Sequence, residues 1–110
     1  MTAPIPRRLL PSTATVRVRI ADGGMGGRYG EPVELRHVRF EPEDGAENLS
    51  WQLRSGAKGT LFVDAVNTEG AFAIPAGSLV SVDGSPESAV ARCEELSSFD
   101  RVHHWEVALG

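Results

Sequence analysis

The sequence predicts a mainly β fold, a small single-domain antiparallel β-barrel or β-sandwich with long loops, and three observations lead there. Residues 15 to 20 and 101 to 109 alternate in polarity one by one, which is the period of a half-buried strand. Asp83 and Gly84 form an Asp-Gly pair between two apolar runs, a strong short-range hairpin signal. The 110 residues hold 12 Gly and 7 Pro but only 6% aromatics, a composition that multiplies turns and shortens helices. A hydrophobic content of 41% supplies one modest core, so residues 1–110 are read as one domain.

The elements follow in chain order. Residues 1–12, bracketed by prolines, form an N-terminal arm too short to fold by itself and suited to docking on a neighbour. From Thr15 to Ile20, Val16, Val18 and Ile20 point one way and Thr15, Arg17 and Arg19 the other. Residues 21–32 follow as a long flexible loop, because five glycines fall within residues 23–30. In "VELRHVRF" the apolar parity switches between Val33 with Leu35 and Val38 with Phe40, which a bulge near Arg36 and His37 explains. An acidic turn, a short strand around Ser50 to Arg54 and a "SGAKG" turn come next. "TLFVDAV" is apolar almost throughout, a strand covered on both faces in which Asp64 is the one expensive member. "SPESAVARCEEL" is open between two readings, and local pattern alone slightly favours helix. Ser85 and Pro86 stand where a helix would be capped and started, and Ala89, Cys93 and Leu96 have helical spacing, whereas its place after the Asp-Gly turn suits a hairpin strand. In the last strand Trp105, Val107 and Leu109 share one face, with His104, Glu106 and Ala108 opposite.

Charge and cysteine usage narrow the function classes. Residues 1–40 hold seven Arg and three acids (+4), and residues 41–110 hold four basic and twelve acidic side chains (−8), giving −4 in all. Unlike faces favour head-to-tail contact between identical subunits, although a solvated surface accounts for the same distribution. Arg17, Arg19, Arg36 and Arg39 can align on neighbouring strands, but the acidic remainder opposes tight DNA binding. With Cys93 as the single cysteine, no intrachain disulfide forms and the fold suits a reducing or redox-indifferent setting. No apolar run approaches the roughly 20 residues that span a bilayer, and the opening residues do not read as a signal peptide, so an intracellular chain starting at Met1 is expected.

The chemistry-bearing residues do not assemble into a known catalytic pattern. His103 and His104, adjacent on a strand, are expected on opposite faces, and zinc needs three or four converging ligands, so no metal site is expected. There is no Gly-x-Ser-x-Gly elbow, no cysteine-protease signature around Cys93, and no complete phosphate-binding glycine motif in the loop. His103 is expected at the core edge, bonded to backbone, and His104 with Glu106 outside, where a partner surface can meet them.

Four stretches, "PIPRRLL", "YGEPVELRHVRFEP", "LFVDAVN" and "FDRVHHWEVALG", resemble the minor capsid proteins of tailed bacteriophages, in the family's order and over essentially the whole chain. The most specific is the last. The departures are "EDGAENLSWQLRSGAKG" and "SPESAVARCEEL"; family members are more plainly strand-like at the second, and the resemblance tips that segment to strand. It implies a non-enzymatic head-closure or stopper protein with no cofactor. Its partners would be its own copies in a homo-oligomeric ring, an adaptor or portal-side connector protein, and a tail-terminator or tail-tube protein. Packaged DNA would pass nearby without tight binding, and no membrane is involved. The expected place is the head–tail junction of the virion, reached through the host cytoplasm. On this reading Arg7, Arg8, Arg28, Tyr29, His104 and Glu106 are candidates for the assembly interface, and Gly23, Gly24, Met25, Gly26 and Gly27 for a channel loop. An adaptor or tail-completion protein in an adjacent ring is the nearest alternative. A β-barrel module binding a small ligand or peptide, and a small enzyme using His103, His104 or Cys93, are the more distant ones.

Overall fold

The structure is a computed structural model that describes residues 3–20, 28–43 and 58–110. A 3-10 turn, Arg7–Leu9, leads into β1 (Ser12–Arg17), β2 (Arg19–Ile20), β3 (Arg28–Tyr29), β4 (Val33–Pro42), β5 (Gly59–Asp64), β6 (Leu79–Val82), β7 (Ser88–Ser98) and β8 (Arg101–Leu109). Six of these close into an antiparallel barrel in the order β1-β4-β5-β8-β7-β6, and β2 and β3 form a separate two-stranded sheet. Of the two architectures the sequence allowed, the barrel is the one formed. Closure gives the six strands partners on both sides, which removes the exposed edges that make small sheets aggregate.

The barrel fills because nearly every strand turns alternate apolar residues inward. Ala14 and Val16 come from β1, Leu35 and Val38 from β4, Leu61 and Val63 from β5, Val80 and Val82 from β6, Val90 from β7, and Val107 and Leu109 from β8. Ile74 joins them from the β5–β6 connection, and Leu10 is buried just before β1. A fully buried Val or Leu is worth about 1.5–3 kcal/mol over an exposed one. β-branched side chains on a short, strongly curved sheet account for both the strand propensity and the packing.

Several local readings meet the structure directly. The parity switch in β4 is a bulge: Ser12 pairs with Val38 and Thr13 with Arg36, which leaves His37 as the extra residue at φ 65° and lets Leu35 and Val38 both face the core. Asp83 (φ 49°) and Gly84 (φ 79°) make the hairpin turn, closed by the Ser85 amide donating to the Val82 carbonyl at 3.0 Å. The helix signals of Ser85–Leu96 are spent otherwise. The Ser85 hydroxyl accepts from the Val82 amide at 3.1 Å within the turn, and β7 places Ser88 and Val90 inward at strand spacing.

The first strand breaks at Val18, so Ile20 is not inward but 47% exposed in β2. Within the stretch read as loop 21–32, Arg28 and Tyr29 pair with Ile20 and Arg19. Gly23, Gly24, Met25, Gly26 and Gly27, and the strand expected around Ser50 to Arg54, lie outside the described residues. The arm packs against its own barrel, and its last residue, Ser12, already belongs to β1. The described residues contain no helix long and apolar enough to cross a membrane.

Candidate assembly surface

The arm, the turn after β5 and the hairpin β7–β8 meet at one end of the barrel, and Asp64 joins the first two. As the last residue of β5 it is fully buried, on the parity opposite Leu61 and Val63. Its Oδ1 accepts from the Ile5 amide at 2.9 Å, and its Oδ2 accepts from the Val66 and Asn67 amides at 3.0 and 2.8 Å. A buried carboxylate is tolerable when backbone donors replace its water in this way. Asn67 completes the clasp by donating from Nδ2 to the Ile5 carbonyl at 2.8 Å. The Thr68 hydroxyl accepts from the Asp64 amide at 2.8 Å and donates to the His37 carbonyl at 2.5 Å, tying the turn to the β4 bulge.

The hairpin supplies the other wall. Between Ser97↔Val102 and Leu96↔His104 the register shifts by one, so His103 is a bulge residue. A bulge cancels the alternation that would send neighbouring side chains to opposite faces, which corrects the expectation for the histidine pair. Their rings meet edge to face with centroids 5.0 Å apart and Nδ1 atoms 2.8 Å apart. His103 Nε2 lies 2.6 Å from the Ala3 carbonyl, as expected of a histidine bonded to backbone. His104 Nε2 lies 2.9 Å from Glu106 Oε2, and its ring stacks on Phe62 at 6.0 Å. Only 15% of the His104 side chain is exposed, so it is more enclosed than an outward position on β8 implies.

At the tip, Phe99 stands 85% exposed at φ 60°. Beside it, Val66 is 68% exposed. Pro4, Val66, Phe99, Val102 and His103 are among the residues lining a cavity of about 390 Å³. Sequence reasoning named neither Phe99 nor Val66. The only signal was an aromatic in "SSFD", a place where a turn between two strands favours glycine, asparagine or aspartate.

The remaining candidates are spread over the molecule. Arg7 and Arg8 are exposed on the 3-10 turn that enters the first end of β1. Arg28 and Tyr29 lie in β3, beyond the other end of β1, where the Tyr29 ring sits under the Arg17 guanidinium at 5.2 Å. The six interface candidates therefore do not form one cluster. The basic stripe is offset by carboxylates: Arg17 is bidentate to Glu87 at 2.6 and 2.7 Å, Arg36 meets Glu34 at 2.7 Å and Arg39 meets Glu41 at 3.2 Å. The Arg17 hydrogen bond holds the Glu87 carboxyl below the usual carboxylate range. Burial pushes the Cys93 thiol up, which disfavours the reactive thiolate. No group of three or more His, Cys, Asp or Glu among the described residues is placed to hold a metal ion.

Among curated proteins and among solved structures, nothing matches the chain. One family model, described as minor capsid protein, matches residues 6–109. That span takes in every barrel strand, Asp64 with the turn after β5, and the exposed hairpin tip, and the chain belongs to this family of phage minor capsid proteins.

Proposed function

We propose that this virion-associated structural protein is a head-closure subunit of the head–tail connector, forming a homo-oligomeric ring between the portal or adaptor and the tail. In that place it retains packaged DNA and offers the tail a docking surface, and its mechanism is mechanical. The observation that supports this most is Phe99, an exposed aromatic in a left-handed backbone conformation beside an apolar cavity. Such a conformation costs roughly 1–3 kcal/mol in a residue with a Cβ, and exposed apolar patches mark interaction sites. The filled barrel interior favours a structural part over a module that takes a small ligand inside.

The test is Phe99→Gly, which removes the aromatic and relieves the backbone. The variant is expected to unfold at a temperature equal to or above that of the parent while failing to complete particles in a complementation assay. Imaging of parent particles should place the protein at the neck. Density elsewhere in the capsid, or full infectivity of the glycine variant, would overturn the assignment.

A further inference from the structure

The contacts through the two histidines form a single chain: the Ala3 carbonyl to His103 Nε2 (2.6 Å), His103 Nδ1 to His104 Nδ1 (2.8 Å), and His104 Nε2 to Glu106 Oε2 (2.9 Å). Each link needs one proton. The first ends on a carbonyl, which only accepts, so His103 Nε2 is the donor. The last ends on a carboxylate, which when ionised only accepts, so His104 Nε2 is also a donor. The middle link joins two ring nitrogens and takes one proton, not two. Three protons on two imidazoles make one of the rings an imidazolium, and the Glu106 carboxylate balances its charge.

With two protons, two bare acceptors face each other somewhere along the chain. With four, two N–H groups meet head on and two cations adjoin. The chain is therefore complete in one protonation state. The charged and titratable groups around it do not replace any link. From β5, Asp64 pairs with His104 in register but its oxygens are taken by the Ile5, Val66 and Asn67 amides. From β7, Glu94 lies opposite Glu106 and bonds Arg92 at 2.9 Å, and Glu95 lies opposite Trp105. Asp100 and Arg101 are exposed at the hairpin tip, and the arm brings Pro4, Ile5 and Pro6.

We propose that His103, His104 and Glu106 form a proton-set latch that holds Ala3 and Pro4 over the apolar cavity. Gain or loss of one proton breaks the chain and frees that end of the arm, while Ile5 stays clasped by Asp64 and Asn67. Pro4 and His103 both line the cavity beside Phe99 and Val66, so release of the latch widens the apolar surface at the hairpin. The device is a property of the free subunit and does not depend on the connector assignment.

The experiment uses the full chain labelled with ¹⁵N, followed by imidazole ¹H–¹⁵N correlation spectra across the range in which histidine changes charge, about pH 5 to 8. Where the nuclear Overhauser contact between Ala3 and the His103 ring is strongest, both Nε2 atoms should be protonated and one further proton should lie between the Nδ1 atoms. The Ala3 contact should weaken on both the acid and the alkaline side. Glu106→Gln supplies an amide N–H that can donate to His104 Nε2, so two protons then complete the chain and the alkaline loss should vanish. Two neutral rings with bare Nδ1 atoms at the strongest Ala3 contact, a contact indifferent to pH, or an unchanged alkaline limb in Glu106→Gln would each overturn the latch.

Discussion

Asp64→Ala tests whether one carboxylate holds the arm and the β5 turn on the barrel. The substitution leaves the Ile5, Val66 and Asn67 amides without their acceptor. A buried donor left unsatisfied costs about 1–3 kcal/mol. All three sites are only part-buried, so water recovers some of each loss; a total of about 3–5 kcal/mol is expected, the range of a broken buried network. A domain of this size has about 5–15 kcal/mol in all, so the variant should lose a large share of its stability. Asp64→Asn separates the two halves of the clasp. Its single oxygen can still serve Val66 and Asn67, but its NH2 faces the Ile5 amide, so roughly half the loss and faster hydrogen exchange at Ile5 are expected. Urea unfolding with an unchanged denaturant slope is the assay. An Asp64→Ala variant within about 1 kcal/mol of the parent would refute the reasoning, because the amides would then have had other partners or free water.

Three further outcomes are expected. Gly59→Ala should destabilise strongly, because a Cβ there would press into the Glu41 carbonyl and lie 2.9 Å from the Pro42 Cα across the β4–β5 pair, where only backbone can give way; circular dichroism melting reads the loss. Trp105→Phe should destabilise only modestly, since the indole N–H it removes is buried with no acceptor among the described residues and its loss offsets part of the lost ring contact. Trp105→Ala should cost clearly more. Cys93 should react with a thiol reagent more slowly than an unfolded control at neutral pH, and its contribution to stability should be present below the unfolded thiol pKa and lost as pH rises through the higher folded one; equal labelling rates would contradict it.

What the sequence discloses and what it hides divide along the range of the interactions. The Asp83-Gly84 turn and the terminal strand are local patterns, and each reads correctly. Even the β4 bulge at His37 leaves a local trace, because an extra residue shifts the apolar parity along the strand. The bulge at His103 leaves none: "VHHW" alternates acceptably without it, and the shift exists only against β7. Asp64 shows the same limit. Its position in an apolar run flags a cost, but the Ile5 donor that offsets it lies 59 residues away in sequence. The helix signals at Ser85 and Pro86 mislead because the same small polar and cyclic residues start helices and close hairpins, and only the barrel's need for a strand beside β6 and β8 decides between them.

Among the described residues, three other than glycine take positive φ, and they differ in what offsets the strain. Asp83 is a residue type that a tight turn tolerates, and its Oδ1 accepts from the Thr13 amide of the neighbouring β1 at 2.9 Å. His37 is the extra residue of a bulge that is fixed from both sides, by β1 pairing and by the Thr68 hydroxyl on its carbonyl. In both cases the fold supplies what offsets the strained backbone. Phe99 differs. The hairpin would accept asparagine or glycine at that position with less strain, and the ring gains little from its own chain while it remains 85% exposed. A large apolar side chain retained at a strained, solvated tip makes physical sense when a partner buries it. Phe99 lines the cavity with Pro4, Val66 and the exposed Asp100 and Arg101, so the docking surface proposed above would combine apolar and charged contacts, as protein–protein contacts do.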